Sequence, residues 1–172
     1  MLKHHIYIIK MGGTIEFIDP GYEQINRQLM KLDPSIDGYL KNIIKPNFSY
    51  SIETVCEKDS RNVTSEDLEK LAKVIQSAKH DNILITHGTF TIRNTAEFLE
   101  RRLSKKNKKK IILTGSMIPI VGFSVSDAPF NLGYSIGLFD SICPGVYICF
   151  NGGIFKYNEV KKNSKLLRFD KI

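Results

Sequence analysis

The chain has 172 residues, enough for one domain with a sizeable core. With 42% hydrophobic and 25% charged residues it has the composition of an ordinary soluble globular protein, and no apolar run approaches the length of a membrane span. A net charge of +7 raises nucleic acid as a partner. The excess, however, sits in Lys105-Lys106-Asn107-Lys108-Lys109-Lys110 and after Lys156, without the interleaved aromatics of a single-strand platform, and it reads as a solvated basic loop.

The start, Met1-Leu2-Lys3-His4-His5 and a short apolar run ending at Lys10, is too short and polar for a signal peptide. From His5 that run reads as a strand leading into Met11-Gly12-Gly13-Thr14. From Ser65 to Ala78, Leu68, Leu71, Ala72, Ile75 and Ala78 share one helical face, behind a Thr64 cap with Asp67 three residues on. Asn82 to His87 is an apolar run of strand length. Thr91 to Leu103 is helical, with Ile92, Thr95, Ala96, Leu99 and Leu103 on one side. A strand from Ile111 to Thr114, a helix from about Pro129 to Phe139 and a strand from Val146 to Phe150 continue the alternation. Such alternation predicts a three-layer α/β fold, a mostly parallel sheet with helices on both faces, whose ligands bind beyond the carboxyl ends of the strands. No internal repeat or interdomain linker interrupts residues 1–172, so a single domain is expected.

The polar clusters follow those strand ends. They are Gly12-Gly13-Thr14, Asp59-Ser60-Arg61, Thr86-His87-Gly88-Thr89 and Thr114-Gly115-Ser116. Two glycines allow close backbone approach and deliver the Thr14 hydroxyl at a strand end. The turn is no phosphate loop, since the lysine and hydroxyl residue of that motif are missing. His87, alone at its strand end, reads as a hydrogen-bonded structural histidine. Neither the four histidines nor Cys56, Cys143 and Cys149 have zinc-ligand spacing, so no metal or cofactor is expected. Two of the three cysteines lie in apolar strand-like runs; free thiols without an export signal point to the cytoplasm. What remains is a pair of threonines, Thr14 and Thr89, which need a base to act as nucleophiles; a lysine of depressed pKa can be that base.

Six clusters taken in order carry a resemblance. They are Met11-Gly12-Gly13-Thr14-Ile15, Asp59-Ser60-Arg61-Asn62-Val63-Thr64, Thr86-His87-Gly88-Thr89-Phe90-Thr91, Leu113-Thr114-Gly115-Ser116-Met117-Ile118-Pro119, Ser126-Asp127-Ala128-Pro129-Phe130-Asn131-Leu132 and Asn151-Gly152-Gly153. In these the chain resembles the N-terminal, nucleophile-bearing domain of the bacterial-type L-asparaginases, a Rossmann/flavodoxin-like fold. The resemblance implies an amidohydrolase that cleaves the amide of L-asparagine or an analogue through a threonine acyl-enzyme, without cofactor. It assigns Thr14 as nucleophile, Tyr22 as its helper, and Thr89 with Lys162 as the second catalytic pair, Lys161 being the alternative one residue away. It places Ser60, Arg61, Gly88, Phe90 and Ser116 around the substrate. It implies a homodimer or higher homo-oligomer, with neither nucleic acid nor membrane as a partner.

Two departures bear on activity. The family's aspartate after the second threonine, which holds the substrate's α-ammonium, is Phe90 here. The sequence also stops at Ile172, where the family continues into a smaller C-terminal domain that lends an acidic residue to a neighbouring site. The competing expectation is a non-catalytic or weakly active small-ligand-binding domain derived from an asparaginase.

Overall fold

The computed structural model describes residues 5–18, 20–25, 33–103 and 107–172. The apolar run after His5 becomes strand β1, Ile6–Gly12, whose side chains alternate between two cores: Ile6 and Ile8 enter one, Ile9 and Met11 the other. Strands β2 (Tyr50–Lys58), β3 (Asn82–Thr86), β4 (Lys110–Thr114) and β5 (Gly145–Phe150) run parallel with it, and β6 (Gly153–Phe155) turns back antiparallel beside β5. The spatial order is β2-β1-β3-β4-β5-β6. Central β3 is buried along its whole length, which is why its Ile-Leu-Ile run shows no polar alternation. The strand implied ahead of Asp59 is β2, at the edge of the sheet, where exposed Glu53, Thr54 and Glu57 hide its periodicity.

Of the helices, α1 is Pro20–Ile25 and α2 a single turn, Ile36–Gly38, that widens into a π-helical segment, Tyr39–Ile44. The longer helices are α3 (Ser65–Ser77), α4 (Ile92–Arg102) and α5 (Ala128–Leu138). At the start of α3 the Thr64 hydroxyl accepts from the Asp67 N–H while the Asp67 carboxylate accepts from the Thr64 N–H, the predicted capping box. Helices α3 and α4 supply Leu71, Ile75 and Leu99 to the core on one face, and α2 and α5 supply Ile36, Leu132 and Ile136 to the other. The fold is a three-layer α/β sandwich.

Two features correct or extend the expectations. Lys105 and Lys106 lie outside the described residues, but the rest of the basic run is not wholly a solvated loop. Lys110 opens β4 and donates to the Phe139 carbonyl, while Lys109 donates to the carbonyls of Ala78 at 2.6 Å and His80 at 3.2 Å, closing the ends of α5 and α3. The chain also ends in an unanticipated antiparallel hairpin, β7 (Val160–Asn163) and β8 (Arg168–Lys171). Val160 and Phe169 bury themselves in the core of α3 and α4, and the Phe169 ring lies 4.6 Å from that of Phe150.

The chain leaves β1 toward the α2 face and leaves neighbouring β3 toward the α4 face. Between two strands whose connections part in this way a crevice opens at their carboxyl ends. Thr14 follows the first of these strands and Thr89 the second.

Candidate active site

The turns after the first four strands are joined by backbone contacts that side chains would prevent. Gly13 has φ 91° and ψ −173°, a region open to glycine almost alone, and a Cβ there would stand 2.4 Å from Cα of Gly88. The Gly13 N–H donates to the Lys58 carbonyl, tying the Thr14 turn to the end of β2. The Gly115 Cα packs against the His87 carbonyl, and the His87 N–H donates to the carbonyl of Thr114. The Thr91 hydroxyl donates to the Ser60 carbonyl at 2.6 Å. The four polar clusters named from the sequence therefore form one continuous rim.

At that rim the terminal hairpin delivers Lys162, whose Nζ donates to the Thr89 Oγ1 at 2.7 Å. Strand alternation points Lys161 the other way, into solvent opposite Asp170. The same Lys162 ammonium lies 3.6 Å from the centroid of the Phe90 ring, and the Arg61 guanidinium lies 4.7 Å from it. Burial, together with the Arg61 cation, lowers the Lys162 pKa below its ordinary 10.5, against the opposing pull of Asp59. Arg61 is in turn gripped by both carboxylate oxygens of Asp59, at 3.0 and 2.9 Å, and these bonds hold the Asp59 pKa down at about 2. Asp59, Arg61, Phe90, Lys162 and Thr89 thus make a chain of contacts.

A cavity of about 690 Å³ adjoins this chain, with Gly12, Gly13, Thr14, Lys58 and Asp59 in its wall. Thr89, Phe90 and Lys162 are not among its lining residues, so Asp59 links the two. Of the other residues expected at the site, Tyr22 in α1 is buried, with its ring edge-on to Phe123 at 5.0 Å. Ser60 and Ser116 are also buried; their hydroxyls have no hydrogen-bond partner among the described residues, and Ser60 lies directly against Gly88.

His87 is structural, as read from its sequence context. Its Nδ1–H donates to the Gly88 carbonyl at 2.8 Å, which leaves Nε2 to accept from the Thr95 hydroxyl at 2.9 Å. Complete burial lowers its pKa to about 4. The segment from Ser126 to Leu132 has a bracing role that its sequence does not announce. Asp127 accepts from the N–H groups of Met117 and Ile118, and Asn131 donates to the Gly115 carbonyl and accepts from the Asn151 N–H. These two side chains brace the turn after β4 against the one after β5. Asp59 clamps Arg61, a contact two residues apart whose signal in the sequence is the spacing of opposite charges alone.

This is an α/β protein whose candidate site, a threonine–lysine pair on the turn after β3 beside the Gly13 turn that carries a second threonine, stands at the switch point of its sheet. Residues 5–169 match the profile of the asparaginase N-terminal domain, and the chain belongs to that family. It is 30% identical over 167 residues to a probable periplasmic L-asparaginase of Haemophilus influenzae, covering 93% of this chain and 46% of the relative. The crystal structure of a probable cytoplasmic L-asparaginase from Campylobacter jejuni superposes with a TM-score of 0.70 at 27% identity, covering 98% of this chain and 52% of that one. The thermostable L-asparaginase of Thermococcus kodakarensis gives 0.76 at 26% identity, covering 98% and 51%. The chain spans about half the length of these relatives.

Proposed function

We propose that the chain is the nucleophile-bearing domain of a cofactor-independent amidohydrolase, which hydrolyses the amide of asparagine or an analogue and releases ammonia. The observation that carries this reading is the 2.7 Å contact of Lys162 with Thr89, one glycine pair away from the Thr14 turn. In this reading the Thr14 oxygen attacks the amide carbon with help from Tyr22. The proton it loses passes through Thr89 and Lys162 to the departing nitrogen, and ammonia leaves. Water then attacks the Thr14 ester through the same pair, releasing the carboxylate and returning a proton to Thr14. Lys162 suits the relay because its lowered pKa enlarges the neutral fraction that can accept a proton. Ser60, Arg61, Gly88, Phe90 and Ser116 surround the substrate.

The reading also carries a homodimer or higher homo-oligomer working in the cytoplasm. Phe123, exposed beside Tyr22, and exposed Val125 two residues on are apolar surface that a second copy would cover.

The test is ammonia release from small amides by the wild type, Lys162→Met and Lys161→Met. Turnover should be lost in the first variant and kept in the second, both folding normally. In the wild type the rate should rise with pH through a midpoint below the ordinary lysine value of 10.5, since Lys162 must lose its proton to work. Full activity in Lys162→Met would remove the relay. Binding of amides by the wild type without any ammonia release would make the chain a small-ligand-binding domain of asparaginase descent.

A further inference from the structure

We infer that the site selects carboxamides that bear a carboxylate but no free ammonium, the N-acyl or des-amino relatives of an ω-amido amino acid, over the free amino acid. The inference deepens the amidohydrolase reading and rests on it for turnover, though not for binding.

Around Thr89 the contact chain contains two cations, Arg61 and Lys162, and one carboxylate, Asp59. Both Asp59 oxygens are committed to Arg61, so the cluster carries one uncompensated positive charge when Lys162 is protonated. The cavity wall on the Thr14 side holds carboxylates of its own, and Phe90 is not among its lining residues. Glu16 pairs with Lys10 at 3.1 Å and caps the Ile36 N–H, Glu57 pairs with Lys10 at 3.2 Å, and Asp33 holds the Ser35 N–H. In the contact chain of Thr89, Phe90 and Lys162 the one carboxylate, Asp59, is held by Arg61 through both oxygens, so an ammonium placed against Phe90 finds no free anion in that chain.

Phe90, 56% exposed, presents an apolar surface beside Thr89, and two cations already lie over its ring. An ammonium arriving there would meet like charge and a π-face already in use, and would give up its water for no counter-ion. A carboxylate would meet the surplus positive charge instead. Without the ammonium, an acyl group or a bare methylene finds in Phe90 a surface to lie against. The same arrangement that repels one end of a free amino acid therefore attracts the other.

The experiment measures kcat/KM for ammonia release from L-asparagine, N-acetyl-L-asparagine and succinamate, in the wild type and in Phe90→Asp. Calorimetric affinities for the same three compounds are measured on Thr14→Val, so that binding is read apart from turnover. The amine-free compounds should lead asparagine by about tenfold or more in both readouts, the least that an unpaired desolvated charge is expected to cost. Phe90→Asp should narrow or invert that ratio; if this variant does not fold, the wild-type ranking decides alone. Asparagine hydrolysed as well as its amine-free analogues would overturn the inference and leave the amidohydrolase intact. No hydrolysis of any amide would remove the amidohydrolase reading instead. The inference would then stand if the amine-free compounds bind more tightly, and fall if asparagine binds equally or nothing binds.

Discussion

At the scale of single residues, the site depends on atoms that are missing as much as on those present. Gly13 lets two threonine-bearing turns touch through bare backbone, because its φ of 91° and its contact with Gly88 leave no room for a Cβ. Gly13→Ala should therefore cost about 1–3 kcal/mol from backbone strain alone, more with the clash, and should part the turns. A melting curve coincident with that of the wild type would show that the rim accommodates a side chain. The Gly-Gly-Thr turn could be recognised from the sequence because its chemistry is local. The Lys162–Thr89 pair could not be derived that way, since its members are 73 positions apart and only the resemblance joined them. Nor did any sequence signal announce the grip of Asp127 and Asn131 on neighbouring turns, as their partners are backbone groups that carry no residue identity.

At the scale of elements, the strands and helices read from apolar periodicity match the structure within a residue or two, because both faces of the sheet are covered and burial marks each element. Elements with little buried surface escaped. The hairpin β7–β8 reads as a charged tail, Val160-Lys161-Lys162-Asn163 and Arg168-Phe169-Asp170-Lys171, and two side chains dock it, Val160 and Phe169. The Phe169 N–H also donates to Asn151 Oδ1 at 3.1 Å, fixing the hairpin to the turn after β5. Phe169→Ala removes a ring that is 6% exposed and should destabilise by about 3–5 kcal/mol if the hairpin stays in place. If the hairpin detaches instead, the global loss is smaller and Lys162 leaves Thr89. In either case ammonia release should fall further than in a variant of exposed Leu167. Equal activity in the two variants would show that the hairpin is held by something other than Phe169.

At the scale of the whole molecule, the buried His87 ties stability to pH. Its pKa is about 4 in the folded chain and 6.5 when exposed, so the unfolded state binds the extra proton. The stability it contributes is complete above pH 6.5 and is lost as pH falls toward 4, on the order of 3 kcal/mol in all. Urea midpoints should decline across that window, while the His87 ring signal in nuclear magnetic resonance stays that of a neutral imidazole until its lower end. A ring that titrates at 6.5 would show that the turn after β3 opens to water. The hairpin has a further consequence, concerning time. Strands β1 to β5 pair in parallel and can assemble only as distant segments arrive, and Lys162 and its anchor Phe169 follow all five of them in the chain. A nascent chain can thus bring its two threonine turns together well before it owns the lysine that touches Thr89. Synthesis as far as β5 therefore yields the strands that carry both threonine turns without the hairpin, and a product of translation stalled at that point would keep Thr14 and Thr89 while lacking the Lys162 contact.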